Sequence, residues 1–241
     1  MSKLAVVTGG TRGIGGAISR SLHEEGYKVI ANYSNNDSKA QEFHDETGIQ
    51  TIKWDVSNYL ACQRNIKEIT EQHNMPVSIL VNNAGISKDA MLHKLELENW
   101  LEVLNVNLNS CFNMCKAVIS PMREQNYGRI VNISSINALA GNIGVANYSA
   151  AKAGILGLTR SLAKESASKG ITVNAIAPGY IDTELLSNVS PKIMEEIINQ
   201  IPVKRLGKPN EVARLVKFLI SPDSGFITGE TISINGGHNM S

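Results

Sequence analysis

The sequence predicts an α/β fold, a single doubly wound parallel sheet with helices on both faces. Short strand-like segments alternate with longer helix-like segments along all 241 residues, which is typical of consecutive right-handed β-α-β crossovers. The strand-like segments are rich in apolar and β-branched residues, as expected for parallel strands that are buried on both faces. No linker, repeat or low-complexity stretch divides the chain, so residues 1–241 are predicted to form one domain.

Seven segments have the composition of buried strands, and each is a short run dominated by apolar or β-branched residues. They cover residues 4–8, 29–31, 49–52, 79–81, 129–133, 172–176 and 231–234. Helical segments lie among them at residues 14–25, 38–47, 59–73, 100–125, 147–168 and 211–219. In the first helix, Ile14, Ile18 and Leu22 recur at helical spacing, and Gly26 marks its end.

The segment 178–207 interrupts this alternation. It contains Pro191 and Pro202 and is longer than most connections in a compact domain. We therefore predict that this segment, called the predicted lid below, covers the substrate and belongs to the same domain.

The charge balance argues against a polyanionic partner. The chain has 23 basic and 22 acidic residues, a net charge of +1, so no global field attracts nucleic acid or an anionic membrane. The first strand begins at Leu4, which leaves no room for a signal peptide, and no apolar run reaches membrane-spanning length. We expect a cytoplasmic protein that binds neither nucleic acid nor membrane.

Three cysteines, Cys62, Cys111 and Cys115, are too few for a disulfide framework. Cys111 and Cys115 lie one helical turn apart, which is compatible with a metal or redox site. No further cysteine or histidine stands at ligand spacing near them, and buried free cysteine behaves as a small apolar residue. The sequence therefore predicts helix packing at these positions and no metal.

A glycine-rich segment at residues 8–15, Thr-Gly-Gly-Thr-Arg-Gly-Ile-Gly, follows the first strand and opens the first helix. Glycines let the backbone turn sharply and approach a pyrophosphate, and the N–H groups at a helix start favour negative charge. Such a turn can be purely structural, but its placement here is the one that a dinucleotide site of a Rossmann-type fold requires. We predict cofactor contacts from Gly9, Thr11, Arg12, Gly13, Ile14 and Gly15.

The second strand indicates which dinucleotide binds. NAD-specific sites place a carboxylate at its end, where it binds the adenosine ribose 2′-hydroxyl. Here Asn32 opens that stretch, and the first acidic residue is Asp37. Because no carboxylate repels a 2′-phosphate, and because Arg12 in the glycine-rich turn offers positive charge, the sequence predicts NADP(H). Asn32 and Arg12 are the predicted contacts on that side.

Tyr148 and Lys152 are four residues apart, a spacing that places both side chains on one face of a helix. A free phenol has a pKa of about 10, and a neighbouring ammonium group favours its ionised form. The pair alone also fits an exposed helix face, but the small residues around it indicate a helix that packs closely on another group. We predict an acid–base pair.

Several motifs occur together and in a fixed order. They are residues 8–15, residues 82–85 (Asn-Asn-Ala-Gly), Ser135, Tyr148 with Lys152, Pro178-Gly179 and residues 235–237 (Asn-Gly-Gly). This combination resembles the short-chain dehydrogenase/reductase family along essentially the whole chain. The resemblance implies an NADP-dependent oxidoreductase that interconverts a carbonyl and an alcohol.

The resemblance also implies roles for individual residues. Tyr148 protonates the substrate carbonyl oxygen, and Lys152 promotes proton release and holds the nicotinamide ribose. Ser135 orients the carbonyl oxygen, since its spacing to Tyr148 favours it over Ser134. Asn107 helps to hold a proton-relay water. Besides Tyr148 and Lys152, the implied cofactor contacts are Asp55, Val56, Asn83, Ala84, Gly85, Pro178, Gly179 and Ile181.

Two groups in the family fit the remaining features. Acetoacetyl-CoA reductases make (R)-3-hydroxybutyryl-CoA for polyhydroxybutyrate, and 3-oxoacyl-[acyl-carrier-protein] reductases serve fatty-acid synthesis. Tyr180, with Asn126 in place of a basic residue, favours the CoA group, whereas Lys169 keeps a positive charge that an acidic carrier protein would meet. Asn142 alone keeps amide character in a stretch where the CoA enzymes have amide and aromatic side chains.

We therefore expect an acyl-thioester substrate, with CoA preferred, that contacts Ser135, Asn142 and Tyr180. A non-catalytic NADP-sensing protein is a second class, but such proteins typically lack the tyrosine or the lysine. The family is mostly tetrameric, and the apolar helices that carry Asn107 and Tyr148 are consistent with burial against another subunit.

Overall fold

A seven-stranded, entirely parallel sheet forms the centre of the computed structural model, which describes residues 3–186 and 189–240, with Leu185 described in its backbone only. The strands are β1 (Leu4–Val7), β2 (Lys28–Tyr33), β3 (Gln50–Lys53), β4 (Val77–Asn82), β5 (Gly128–Ile133), β6 (Ile171–Pro178) and β7 (Thr231–Ile234). Their order is β3-β2-β1-β4-β5-β6-β7. Every predicted strand is present, and the predicted fold class is confirmed.

Helices connect the strands and cover both faces of the sheet. They are α1 (Gly13–Glu24), α2 (Asp37–Thr47), α3 (Tyr59–His73), α4 (Leu97–Leu104), α5 (Ser110–Glu124), α6 (Asn137–Ala140), α7 (Ala146–Ser166), α8 (Pro191–Gln200) and α9 (Pro209–Ile220). Each face of the sheet has its own hydrophobic cluster, and alternate residues of β1 point to opposite faces. Ala5 and Val7 belong to one cluster, and Leu4 and Val6 belong to the other. α1 and α9 cover the first face, and α3, α5 and α7 cover the second.

The chain reverses its direction across the sheet between β1 and β4. In such sheets, ligands bind at the carboxyl ends of the strands beside this reversal, because the connections diverge there and leave a crevice. The glycine-rich turn follows β1, and residues 83–85 follow β4. Both predicted cofactor-binding segments therefore meet at this reversal point.

The predicted helix over residues 100–125 is longer and less regular than its sequence pattern indicates. It begins at Leu97, and a π-helical turn, Asn105–Asn109, separates α4 from α5. One residue more per turn shifts the side chains that follow, and such turns often occur at functional sites. Asn107 lies within this turn and is fully buried.

The predicted lid contains a helix, α8, that the sequence analysis did not assign. Pro191 stands at the first position of α8, where its fixed backbone angle suits a helix start, and Ser190 caps the helix through its hydroxyl. The ends of the segment meet, since Gly207 N–H donates to the Tyr180 carbonyl oxygen at 2.9 Å. Residues 187 and 188, inside the predicted lid, lie outside the described residues.

The three cysteines are buried, and for Cys111 and Cys115 this confirms the predicted helix packing. Burial raises the pKa of the Cys111 and Cys115 thiols, and it raises that of Cys62 to about 11. A thiol of this kind is a poor nucleophile and a poor metal ligand near neutral pH. Cys115 lies beside Asn82, whose amide donates to its sulfur at 3.4 Å.

Within residues 3–186 and 189–240, no helix has both the length and the apolar character that a membrane crossing requires.

Candidate active site

The glycine-rich turn has a backbone that side chains would obstruct. Gly9 and Gly13 adopt positive φ angles of 59° and 52°, which favour glycine. A Cβ on Gly15 would overlap the Gly9 carbonyl oxygen. Arg12, the N-cap of α1, makes no side-chain bond to the first turn of the helix. The turn therefore brings main-chain N–H groups to an open helix start that fits a pyrophosphate.

Residues 83–85 are tied to this turn by a two-way set of hydrogen bonds. The Thr8 hydroxyl accepts from the Asn83 and Ala84 N–H groups at 2.9 and 3.0 Å. In return, the Asn83 side-chain amide donates to the Thr8 and Gly9 carbonyl oxygens at 3.0 and 3.2 Å. The two segments thus form one rigid edge of the crevice.

Asn32 supports the glycine-rich turn from within. Its side chain is 1% exposed and accepts from Gly9 N–H at 3.3 Å while its amide donates to the Trp54 carbonyl oxygen at 2.9 Å. An aspartate here would lack the N–H group that donates to the Trp54 carbonyl oxygen. The fold itself therefore favours asparagine at this position, independently of the cofactor. Its predicted place beside the adenosine ribose stays a prediction.

Two cations and one carboxylate meet beside the turn. Lys39 Nζ lies 2.5 Å from one carboxylate oxygen of Glu184, and Arg12 lies 3.8 Å from the other. The hydrogen bond and charge of Lys39, with a smaller contribution from Arg12, lower the pKa of Glu184. Sequence reasoning missed Lys39, because 145 residues separate it from Glu184 and nothing in the local sequence of α2 indicates the pairing.

Tyr148 and Lys152 lie on α7 as predicted, near the carboxyl end of β5. Lys152 is 3% exposed, and its Nζ lies 5.6 Å from the centre of the Tyr148 ring and 2.8 Å from the Ile133 carbonyl oxygen. Lys152 is therefore held in the protein interior beside the strand end and Tyr148 is partly buried, which excludes the interpretation of an exposed, solvated pair.

The two candidate serines after β5 have different surroundings. Ser134 donates to the Lys152 carbonyl oxygen at 2.9 Å, which fastens α7 to the strand end. The Ser135 hydroxyl accepts from Asn137 N–H at 3.1 Å, and its own hydrogen stays available for a ligand. This difference supports Ser135 as the residue that binds the substrate.

Asn107, Gly85 and Lys152 converge at one point of the crevice. A Cβ on Gly85 would lie 3.2 Å from Asn107 Oδ1 and 3.5 Å from Lys152 Nζ. The Asn107 side chain is paired with the backbone of Ile86, accepting at 2.8 Å and donating at 2.9 Å. Asn107 therefore joins the loop after β4 to the π-helical turn, and its predicted contact with a water stays a prediction.

Asn142 and Tyr180, the other two predicted substrate contacts, face each other. The Asn142 amide donates to the Tyr180 hydroxyl at 3.5 Å, and both residues line a cleft of about 320 Å³ between α6 and α8. Asn142 and Tyr180 are 38 positions apart in the sequence, and the fold brings them together. Ile136 and Asn137, which follow Ser135 in the chain, lie on the wall of the same cleft.

The remaining predicted cofactor contacts lie at the same edge of the sheet. Asp55 is exposed after β3, where its carboxylate accepts from Ser57 N–H at 2.8 Å. The side chains of Val56 and Ile181 pack in the core, so any contact from them to a cofactor involves their backbone. Pro178 ends β6. Gly179 approaches Asn235 so closely that a Cβ would lie 2.9 Å from its Cα.

Among residues 3–186 and 189–240, no cluster of three or more His, Cys, Asp or Glu side chains has the arrangement of a metal site.

Comparison with known proteins places the chain among reductases. The family profile described as enoyl-(acyl carrier protein) reductase matches residues 9–239. Acetoacetyl-CoA reductases from Shinella zoogloeoides and Rhizobium meliloti (strain 1021) are 58% and 59% identical, and each alignment covers 98% of both chains. The 3-oxoacyl-[acyl-carrier-protein] reductase of Vibrio cholerae is 42% identical over 99% of this chain and 98% of its own.

Proposed function

Because this chain belongs to the short-chain dehydrogenase/reductase family, as its motifs predicted, we propose that it reduces acetoacetyl-CoA to (R)-3-hydroxybutyryl-CoA with NADPH. The observation that carries the proposal is the identity of 58–59% to two acetoacetyl-CoA reductases over nearly their whole length. The identity to the carrier-protein enzyme is lower, at 42%. The reduced product is a monomer for polyhydroxybutyrate synthesis, which is the pathway we propose.

The residues present fit the proposed cofactor. The open start of α1, the glycines that approach it and the joined segment 83–85 suit a pyrophosphate and an adjoining ribose. Lys152 lies where it can hold the nicotinamide ribose, beside Gly85. When bound, NADPH supplies the hydride that the carbonyl carbon receives.

The protein's own residues manage the proton and the carbonyl oxygen. Ser135 donates a hydrogen bond to that oxygen and fixes its orientation, and Tyr148 donates a proton to it as negative charge develops. The positive charge of Lys152 favours the phenolate that remains after transfer. Asn107 holds the backbone of Ile86 beside Lys152, which keeps the route for reprotonation in place.

The cofactor preference gives a first prediction. We expect kcat/KM with NADPH to exceed that with NADH by at least about tenfold, which corresponds to about 1.4 kcal/mol. Arg12→Ala and Lys39→Ala should each weaken NADPH much more than NADH, because the two cations lie beside the glycine-rich turn, where they offer positive charge to a 2′-phosphate. The measurement is kcat/KM for both cofactors in each variant.

Lys53→Ala is the matched control for these two variants. Lys53 pairs with Asp37 at 2.9 Å at the neighbouring strand end, so its loss should affect both cofactors alike. Equal losses for NADPH and NADH in Arg12→Ala and Lys39→Ala would show that neither residue reads the 2′-phosphate.

The thioester preference gives a second prediction. We expect kcat/KM to be higher for acetoacetyl-CoA than for acetoacetyl-carrier protein at modest ionic strength. Asn126 offers no charge to an acidic carrier helix, so electrostatic steering toward that partner is weak. Asn126 lies beside Gly170, since a Cβ added to Gly170 would lie only 2.5 Å from the Asn126 carbonyl oxygen. Lys169 precedes Gly170 in the chain and therefore places a positive charge on the same surface.

The competing function is the carrier-protein reductase of fatty-acid synthesis, and Lys169→Glu separates the two. The competing function replaces ours if kcat/KM is tenfold or more higher for the carrier-protein substrate. If added salt and Lys169→Glu both remove that difference in kcat/KM, the surface around Lys169 docks the carrier protein. A preference for acetoacetyl-CoA that Lys169→Glu leaves unchanged supports our proposal.

We extend the proposal to a cytoplasmic homotetramer formed by one-domain subunits. Large apolar side chains stay exposed along α4 and α5, namely Leu97 at 65%, Leu101 at 54% and Phe112 at 51%. Leu97 and Leu101 lie one turn apart on α4. Exposed apolar patches are typical of protein interfaces, and oligomers of identical subunits bury them symmetrically. Sedimentation analysis of the purified protein tests the subunit number.

A further inference from the structure

The cleft between α6 and α8 is larger than a four-carbon acyl group needs. It measures about 320 Å³ and begins beside Ser135, whose hydroxyl accepts from Asn137 N–H at the cleft wall. Amide side chains line it at Asn137, Asn142 and Gln200, and Ile197 supplies an apolar surface. The cleft therefore offers hydrogen bonds and apolar contact beyond the position of the reacting carbonyl.

His238 stands in this cleft against Tyr180. The two rings stack with their centres 5.7 Å apart and an angle of 21° between their planes. Gly236 and Gly237 place the histidine there through a turn with positive φ angles of 63° and 84°. Asn235 fixes this turn, since its side chain accepts from Gly237 N–H at 3.0 Å.

The imidazole of His238 has hydrogen-bonding capacity that the fold does not use. Its Nδ1 is buried and has no hydrogen-bond partner among the described residues. Buried polar atoms in folded proteins nearly always have one. A rotation of the imidazole within its stack on Tyr180 would bring this nitrogen to the cleft, where a ligand can supply the partner. Glu196 stands at the cleft as well, and its carboxylate disfavours a phosphate there.

We infer that this cleft binds the uncharged, amide-bearing pantetheine arm of the thioester, and that His238, supported by Tyr180, determines specificity for that arm. The inference rests on the proposed function. In the proposed reaction the 3-oxo carbonyl lies at Ser135, so the thioester and the arm that leaves its sulfur continue into the cleft. There its amide groups meet the imidazole and the amide side chains, and its methylene groups meet Ile197.

His238→Phe tests this inference, because phenylalanine keeps the ring stack on Tyr180 and removes both ring nitrogens. The two substrates are acetoacetyl-CoA and ethyl acetoacetate, which has the same 3-oxo group and no arm. We expect kcat/KM for acetoacetyl-CoA to fall about tenfold, mainly through KM, as for the loss of one hydrogen bond. With ethyl acetoacetate the change should stay below about twofold.

Two further variants complete the experiment. His238→Gln keeps a hydrogen-bonding group and should recover most of the activity on acetoacetyl-CoA. His23→Phe, at the exposed end of α1, should leave both substrates unaffected. NADPH binding and Tm, measured for each variant, confirm that the fold is intact.

Each outcome separates this inference from the proposed function. Equal losses on both substrates assign His238 a purely structural role, and an unchanged KM for the thioester removes it from the binding site; either result overturns the inference. If the wild-type protein reduces only the carrier-protein thioester, the proposed function fails. The inference is then tested on that substrate, because a carrier protein presents the same pantetheine arm.

Discussion

Replacing Tyr148 with phenylalanine is expected to lower kcat by at least about a hundredfold, since a positioned general acid contributes roughly 10²–10⁴-fold. The change removes one oxygen and keeps the ring, which is partly buried on α7. NADPH should therefore still bind. Steady-state kinetics with acetoacetyl-CoA, together with NADPH titration by fluorescence, measure the two effects separately.

Tyr127→Phe is the control for loss of a phenol oxygen. The Tyr127 hydroxyl is buried without a hydrogen-bond partner among the described residues, and it lies before β5 at the opposite end of the strand. Its removal should leave kcat unchanged. A Tyr148→Phe enzyme with near-normal turnover would exclude Tyr148 as the proton donor and end the mechanism proposed here.

Replacing Lys152 with methionine is expected to reduce activity about as strongly, and also to weaken NADPH binding. Methionine keeps the length of the side chain but removes the charge that favours the phenolate and the group that holds the ribose. Unlike most substitutions in a protein interior, this one should leave Tm unchanged or raise it. The reason is that a buried ammonium loses hydration that one carbonyl, that of Ile133 at 2.8 Å, replaces only in part.

Lys164→Met on the same helix provides the comparison, because Lys164 is exposed and its loss should change neither rate nor cofactor affinity. Loss of activity with Tm retained in Lys152→Met identifies a residue kept for function at the expense of stability. A Tm that falls by many degrees, with kcat preserved in the remaining folded protein, would instead make Lys152 a structural residue.

The order of strands and helices was readable in the sequence because it depends on local patterns. Apolar runs such as residues 4–7 are short and uninterrupted, and parallel strands need that composition on both faces. The glycine-rich turn and the Tyr148–Lys152 spacing were likewise readable, since backbone approach and helix periodicity each restrict a few neighbouring positions. The predicted strands and site segments therefore lie where their patterns placed them.

The structure differs from the predicted helices at two places. Helix α8 was not assigned within the predicted lid, although Pro191 is a residue type that is favoured at the first position of a helix, where no N–H is needed. The π-helical turn at Asn105–Asn109 has no sequence signature. It follows from the pairing of Asn107 with the backbone of Ile86, a contact that only the folded chain provides.

The sequence by itself thus determined the α/β architecture and led to the roles proposed for Ser135, Tyr148 and Lys152. Tertiary structure alone decided which side chains meet around that centre. Glu184 meets Lys39 from the predicted lid, and His238 stacks on Tyr180 from the last turn of the chain. These partners are far apart in sequence, and no local periodicity encodes either contact. The second contact arises only because the ends of β6 and β7 lie side by side.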